Sequence, residues 1–150
     1  MERTFVLLKP DALQRGLTGE IIGRFERRGY RIIAMRMLRP NADLAARQYE
    51  IHKGKFFYEG LVEHLTSGPA IAIVLEGEGV IQAVRKMVGA TIPHGAEAGT
   101  IRGDLAVSGL RNLVHASDAP DTASDEMSLY FDESDLLVYD RAIDPWVFED

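Results

Sequence analysis

Residues 17–38, LTGEIIGRFERRGYRIIAMRML, join an amphipathic helix to a strand and so set the class of the fold. Apolar residues recur at helical spacing in the first half of this stretch: Leu17, Ile21 and Phe25. Gly29 follows two basic residues and is typical of a helix C-terminus. Residues 30–38 are rich in β-forming side chains and are bounded by Pro40, which predicts a strand. The stretch therefore predicts a helix that leads directly into a strand.

The remaining elements are predicted on both sides of this unit. Three more strands are expected, at residues 4–8, 70–76 and 113–115, the first of them stopped by Pro10. Four more helices are expected, at 42–53 after an Asn41 cap, at 57–65, at 80–88, and from an Asp118 cap to Tyr130. Residues 89–112 show no clear helical or strand period, so a long loop is predicted before the last strand.

The order of these elements points to an α+β fold. If the helical pair at 42–65 is an insertion, the remainder is the βαββαβ pattern of a ferredoxin-like sandwich. We then expect a four-stranded antiparallel sheet with helices packed around it, in a single domain spanning residues 1–150. A doubly wound parallel sheet is the alternative, since the pattern of elements does not separate the two.

Composition excludes several classes of function. The chain has no cysteine, so disulfides, thiolate nucleophiles and sulfur-based zinc sites are excluded, and a cytoplasmic location is expected. No apolar segment approaches the roughly 20 residues of a membrane-spanning helix, so no membrane partner is expected. The formal net charge of −6 disfavours nucleic acid as the main ligand, because such binding requires clustered cations.

A phosphate site in this chain has to be built from side chains. The GxxxxGK[ST] and GxGxxG glycine motifs are both missing from the sequence. The candidate cations are Lys9 at a strand end, Arg85 in the last turn of a helix, and Arg102 in the long loop. A surface charge is the simpler interpretation of any one of them alone. Arg102 is the strongest candidate, because a loop of this length is uncommon unless it is functional or disordered.

The stretch RNLVHASD, residues 111–118, places one histidine where a phosphoryl group could be received. Asn112 can supply a polar contact near His115, and Ser117 with Asp118 suggests the positive start of a helix. Neutral imidazole is nucleophilic at pH 7 and forms a labile bond to phosphorus. Glu126 is the best candidate to orient the ring, although it lies eight positions past the predicted cap, or roughly 12 Å along an ideal helix. A partly buried core histidine is the alternative, and no role is assigned to His52, His64 or His94.

Six motifs together are more specific than any one residue. LLKPDA, RGLTGEIIGRFERRGY, FFYEGLVEHLTSGP, VRKMVGAT, GTIRGD and RNLVHASD resemble the nucleoside diphosphate kinase family nearly from end to end, in the family's order and spacing. The resemblance implies a ping-pong enzyme that moves the γ-phosphoryl group of a nucleoside triphosphate to a nucleoside diphosphate. It also implies Mg²⁺ held through the nucleotide phosphates, with no metal site on the protein, and a homo-oligomer, a hexamer built from dimers.

The resemblance also implies a role for each candidate residue. His115 is implied as the nucleophile that carries the phosphoryl group, and Glu126 as the acid that positions its ring. The implied nucleotide-binding residues are Lys9, Tyr49 and Asn112 at the γ-phosphate and sugar, Arg85, Thr91 and Arg102 at the phosphates, and Phe57 with Leu61 at the base. Ser117 and Asp118 are implied to support the histidine.

Some positions differ from the usual pattern of the family. Ile92, Ala116 and the pair Ala119-Pro120 are such differences, and none of them touches the implied chemistry directly. Gly109 precedes Leu110, where an apolar residue is usually followed by glycine, which affects the second wall of the base site. Two other functions are considered: a non-catalytic ferredoxin-like module that binds a regulatory nucleotide, and a DNA-binding or DNA-cleaving protein. The negative net charge disfavours the second of these.

Overall fold

The computed structural model describes residues 1–149; Asp150, the last residue of the predicted domain, lies outside the described residues. Its centre is a sheet of four strands: β1 (Glu2–Leu8), β2 (Arg31–Leu38), β3 (Ala70–Gly77) and β4 (Val114–Ala116). Their order in the sheet is β2-β3-β1-β4, and every neighbouring pair is antiparallel. The ferredoxin-like α+β prediction is therefore confirmed, and the doubly wound parallel alternative is wrong.

Seven α-helices are described around the sheet. They are α1 (Pro10–Gln14), α2 (Thr18–Arg28), α3 (Ala42–Gln48), α4 (Tyr58–Thr66), α5 (Val80–Val88), α6 (Ile101–Leu105) and α7 (Pro120–Tyr130). Asn41 caps α3 as expected, its side chain accepting from the Leu44 amide at 2.8 Å. The helix is shorter than the predicted 42–53, because Tyr49 leaves helical geometry and a 3₁₀ turn, Glu50–His52, follows.

The segments that follow β1 and β4 differ from the prediction. Pro10 follows the end of β1 but also begins α1, a position where its missing N–H is harmless. Asp118 is not the cap of α7. Ala119 occupies that position with no side-chain hydrogen bond, and Pro120 is the first helical residue. The helix starts one residue later than expected because proline at the first position fixes the backbone without needing a capping side chain.

The predicted long loop at 89–112 contains regular structure. A 3₁₀ turn, Pro93–Gly95, precedes α6, and the Thr100 hydroxyl caps α6 by accepting from the Gly103 amide at 3.0 Å. A Cβ at Gly103 would lie 1.9 Å from the carbonyl oxygen of Glu97, so only glycine fits there. The sequence pattern missed α6 because five residues are too few to show a helical period. Arg102 therefore lies on a short helix rather than on an open loop.

Helices cover both faces of the sheet, so successive residues of β1 enter two different cores. Val6 and Leu8 pack with Ile21 and Phe25 of α2 and with residues of α5. Phe5 and Leu7 pack on the other face with Leu65, Tyr130 and other residues of α3, α4 and α7. All four residues of this run are fully buried, which explains why the strand is continuously apolar rather than alternating. Among the described residues, no helix is long and apolar enough to cross a membrane.

Candidate active site

One cleft of about 1310 Å³ opens over the ends of β1 and β4, beside α3, α4 and α7. Eleven of the twelve site residues predicted from the sequence line this cleft: Lys9, Tyr49, Phe57, Leu61, Arg85, Thr91, Arg102, Asn112, His115, Asp118 and Glu126. The twelfth, Ser117, is fully buried behind the wall. Residues that are far apart in the sequence thus meet in a single site.

His115 and Glu126 form the polar centre of the cleft. His115 lies on β4 with 27% of its side chain exposed, and its Nε2 is in direct hydrogen-bond contact with the Oε2 of Glu126. The other carboxylate oxygen, Oε1, accepts from the Ser117 hydroxyl at 3.1 Å. The distance of roughly 12 Å inferred from helix spacing was misleading, because α7 packs against β1 and Glu126 lies beside His115 of the neighbouring strand β4.

Gln48 is a member of this centre that the sequence analysis missed. Its Nε2 donates to Glu126 Oε2 at 2.5 Å, and its Oε1 accepts from the Tyr130 hydroxyl at 3.0 Å. A signal was present, because Gln48 stands three positions after Ala45 on the apolar face of α3. A polar residue on a buried face needs partners, and these partners come from α7.

Lys9 is a buried cation at the end of β1. Lys9 is only 3% exposed, and its Nζ donates to the Leu110 carbonyl at 2.9 Å. Burial lowers the pKa of Lys9 to about 8; the carboxylate of Asp11 opposes this shift, and the charge of Arg102 adds to it. The ammonium therefore sits where a negatively charged ligand would relieve its desolvation.

Arg102 braces the backbone around the histidine. Its guanidinium donates to the carbonyl oxygens of Asn112 at 3.2 Å, Gly89 at 3.0 Å and Val114 at 2.5 Å. Burial, together with the charge of Arg85, lowers the pKa of Arg102 to about 10. A guanidinium has five N–H groups, so two remain for a ligand.

Three more predicted residues lie at the end of the cleft that holds Lys9 and Arg102, the predicted phosphate end. Arg85 is half-buried on α5 and donates to the Ala116 carbonyl at 3.1 Å. The Asn112 amide donates to the Thr91 carbonyl at 3.0 Å, rather than making the contact with His115 that the sequence suggested. Its Oδ1 is buried and has no hydrogen-bond partner among residues 1–149. That oxygen is free to accept a hydrogen bond from a ligand hydroxyl.

The opposite end of the cleft is apolar and aromatic. Phe57 and Leu61 are half-buried near the start of α4, and the ring of His52 packs edge-on to Phe57 at 5.2 Å between centroids. Leu110 lies against α4, where a Cβ added at Gly60 would come 3.1 Å from its side chain. Leu110 lines the same cleft as Phe57 and Leu61.

Tyr49 directly follows α3 and also lines the cleft. It is 6% exposed, and burial, with the nearby charge of Glu126, raises the pKa of its hydroxyl. The hydroxyl therefore keeps its proton at neutral pH and is able to donate a hydrogen bond to a ligand.

Asp11 is a second polar residue that the sequence analysis did not single out. Its carboxylate accepts from His64 of α4 at 2.9 Å and from the backbone amide of Leu113 at 3.0 Å. Leu113 has a φ of 74°, in the left-handed region that side chains with a Cβ rarely adopt. His64 thus has a carboxylate partner, which the sequence did not indicate.

The cleft favours anions over metal ions. Its phosphate end presents three cations, Lys9, Arg85 and Arg102. Among the described residues, no three carboxylates or histidines are close enough together to hold a metal ion. The donor set thus suits an anion.

Known proteins are similar to this chain in sequence and fold. The model of the family described as "Nucleoside diphosphate kinase" matches residues 2–136. The nucleoside diphosphate kinase of Synechococcus elongatus is 51% identical over 99% of this chain and 100% of its own, and that of Carboxydothermus hydrogenoformans is 48% identical over the same shares. A solved structure, a halophilic nucleoside diphosphate kinase from Halobacterium salinarum in complex with CDP, superposes with a TM-score of 0.96 at 42% identity and covers 99% of both chains.

The match to the family model, the identity to full-length relatives and the shared fold agree with one another and with the anion-binding cleft. The chain belongs to the nucleoside diphosphate kinase family, whose enzymes transfer the γ-phosphoryl group of a nucleoside triphosphate to a nucleoside diphosphate.

Proposed function

We propose that this transfer proceeds through a covalent phosphohistidine on His115. The observation that carries the proposal is the contact between His115 Nε2 and the Glu126 carboxylate, at the wall of a cleft with three cations. A carboxylate accepts hydrogen bonds, so Nε2 carries the ring proton and Nδ1 carries the lone pair. Nδ1 is therefore the nitrogen that attacks phosphorus.

The proposed step balances as a displacement. The Nδ1 lone pair forms a bond to the γ-phosphorus, and the bond from that phosphorus to the bridging oxygen breaks with its electron pair on the departing diphosphate. The ring keeps its Nε2 proton, and its new positive charge is balanced by Glu126. A second diphosphate then takes the phosphoryl group from Nδ1 by the reverse displacement, which makes the reaction ping-pong.

The cations have separate proposed roles in this step. Phosphoryl transfer passes through a loose transition state, so catalysis depends on alignment and on charge placed near the phosphate oxygens. We assign Lys9 to the γ-phosphate, and Arg85, Thr91 and Arg102 to the phosphate chain. The free N–H groups of Arg102 support this assignment, because its other donors already fix the strand that carries His115.

The nucleoside is proposed to lie between the phosphate end and the apolar end of the cleft. Tyr49 and the unpaired Oδ1 of Asn112 are placed to bond a sugar hydroxyl. The base is proposed to stack on Phe57 beside Leu61, a contact that accepts any base because it does not use the hydrogen-bonding edge. The relative from Halobacterium salinarum was solved in complex with CDP, which supports a nucleotide as the ligand.

The cofactor is proposed to be Mg²⁺ that enters with the nucleotide. Cations line the phosphate end of the cleft. The exposed carboxylate nearest in sequence to His115 is that of Asp118. Mg²⁺ bound by phosphate oxygens and water would neutralise part of the phosphate charge, and the protein would bind the resulting complex through Lys9 and the two arginines.

We further propose a homo-oligomer, a hexamer built from dimers, in which the whole chain acts as one domain. Edge strand β2 exposes Met35 and Met37, and the C-terminal segment exposes Trp146, which is 89% accessible. Exposed apolar groups of this size, two of them on an edge strand, favour coverage by another subunit. Sedimentation velocity tests the size of the assembly, and the cytoplasmic location expected from the sequence stays a prediction.

Transfer of label from γ-labelled ATP tests the mechanism. The protein should gain label that is stable to alkali and labile to acid, and addition of GDP or CDP should remove it as the triphosphate. His115→Ala should abolish both steps. His94→Ala is the matched control, because His94 is exposed and lies outside the cleft. A His115→Ala protein that exchanges phosphate at the parent rate would contradict the mechanism.

The same experiment separates the alternatives. A non-catalytic nucleotide-binding module would bind ATP at one molecule per chain without taking up label. Substitution of Arg102 tests the phosphate contacts separately, because full activity in Arg102→Ala would contradict its assigned role while leaving the role of His115 intact.

A further inference from the structure

Gln48 connects three elements around the reacting histidine. It is the last residue of α3, is only 6% exposed, and reaches Glu126 on α7 with its Nε2. The same nitrogen lies 3.4 Å from His115 Nε2 on β4. The Tyr130 hydroxyl completes the arrangement by donating to Gln48 Oε1 at 3.0 Å.

The orientation of the Gln48 amide is fixed by its two partners. An ionised carboxylate only accepts, so the amide NH₂ group must face Glu126. The amide oxygen then faces Tyr130, whose phenol is protonated at neutral pH because burial raises its pKa. The reversed amide would place its oxygen against the carboxylate, and two acceptors would repel each other.

We infer that Gln48 is a positioning residue, which holds the Glu126 carboxylate in the plane where it meets His115 Nε2. The inference rests on the proposed phosphohistidine mechanism. Three donors then converge on one carboxylate: His115 Nε2 and Gln48 Nε2 on Oε2, and the Ser117 hydroxyl on Oε1. Without Gln48, one oxygen loses a buried donor and the carboxylate gains freedom to rotate away from the ring.

The position matters most when the phosphoryl group is on the histidine. At that stage the ring is positively charged and Glu126 provides the balancing charge, so a rotated carboxylate raises the barrier to both half-reactions. Binding of the nucleotide does not require this contact. Loss of Gln48 should therefore lower the rate of phosphoryl transfer and leave the KM for nucleotide nearly unchanged.

Two substitutions test the inference. Gln48→Met keeps the length of the side chain but removes both polar atoms, and Gln48→Glu replaces the donor by a group that donates only when protonated. Gln14→Met is the matched control, because Gln14 is exposed at the end of α1. The measurements are the single-turnover rate of His115 phosphorylation, the KM for nucleotide, and the rate relative to parent between pH 5.5 and 8.5.

The expected result has two parts. Gln48→Met should phosphorylate about tenfold more slowly, which is the effect of losing one charge-assisted hydrogen bond, with KM changed less than about twofold. Gln48→Glu should approach the parent rate at the low end of the pH range, because a protonated carboxyl donates to Glu126. It should fall progressively behind at higher pH, since two ionised carboxylates then repel each other.

A parent rate in Gln48→Met overturns the inference. So does a rate of Gln48→Glu that is a constant fraction of the parent rate at every pH, because general loss of packing would explain it. If Gln48→Met does not fold, Tyr130→Phe gives the same test by removing only the hydroxyl that fixes the amide, with a rate about threefold lower expected. Failure of the mechanism itself is recognised separately, because His115→Ala would then retain label uptake.

Discussion

Replacement of Lys9 by methionine should stabilise the protein at neutral pH and destroy its activity. Burial lowers the pKa of Lys9 from 10.5 to about 8. Each unit of that difference corresponds to about 1.4 kcal/mol, so keeping the ammonium charged in the fold costs about 3 kcal/mol below pH 8. Methionine removes this cost but also the hydrogen bond to the Leu110 carbonyl, worth about 2 kcal/mol for a charged donor. A net gain of about 1 kcal/mol at pH 7 is expected.

The pH dependence gives the sharper test of the same reasoning. Between pH 8 and 10.5 the unfolded chain still holds the Lys9 proton after the folded protein has released it, so the stability of the parent rises with pH. Lys9→Met lacks this rise. The variant should therefore change from more stable than the parent at pH 7 to less stable at pH 10.

Urea unfolding at a series of pH values measures this difference, and label transfer from ATP measures activity. Activity should fall at least about 100-fold, since the cation proposed to contact the transferred phosphoryl group is lost. Lys86→Met, at an exposed position of α5, is the control. It should show no pH-dependent difference in stability from the parent and should keep the parent's activity. A difference between parent and Lys9→Met that stays constant from pH 7 to 10 would refute the argument.

Three further substitutions, with a fourth at Gly19 as a control, probe the support of the cleft. Arg102→Ala leaves three carbonyl oxygens without their donor and should lower the free energy of unfolding by about 3 kcal/mol or more, measured in urea; parent-like stability would show that the guanidinium is not structural. Gly103→Ala should lower the free energy of unfolding by about 3 kcal/mol or prevent folding, because its Cβ would meet backbone atoms. Gly19→Ala, with open space around it, is the control and should raise the free energy of unfolding by about 0.5–1 kcal/mol. Burial, the largest single influence, raises the pKa of Asp11, but the hydrogen bond from His64, the charges of Lys9 and His64 and the hydrogen bond from the Leu113 amide together outweigh it, so the net pKa is lowered. Stability contributed by Asp11 is thus present above its unfolded pKa of 3.8 and is lost as pH falls through the lower folded value. In Asp11→Asn the free energy of unfolding should therefore fall less steeply at acid pH than in the parent. The same fall as in the parent would contradict this.

The regular elements of the fold were predictable because their signals are local. The spacing of Leu17, Ile21 and Phe25 fixed α2, and the apolar run 4–8 fixed β1, since both depend only on near neighbours in the chain. Short elements escaped prediction. The five residues of α6 carry too little periodicity, and α1 begins at the same proline that ends β1.

The site was predictable to the extent that motifs mark it. His115 and the three cations stand in recognisable motifs, and the structure brings them into one cleft. Gln48 and Asp11 were missed because their importance comes from partners that are 78 and 102 positions away, Glu126 and the Leu113 amide. The distance to Glu126 was misjudged for the same reason, since packing of α7 on β1 is not visible in local spacing.

Asp11 links two segments of the cleft wall. One of its oxygens is bonded to His64 on the helix that carries Leu61, and the other to the backbone two residues before His115. The wall proposed for the base and the strand proposed for the phosphoryl group are thus coupled through a single buried carboxylate. In hydrogen exchange, α4 and β4 should become accessible as one cooperative unit, and nucleotide should slow the exchange of both segments together.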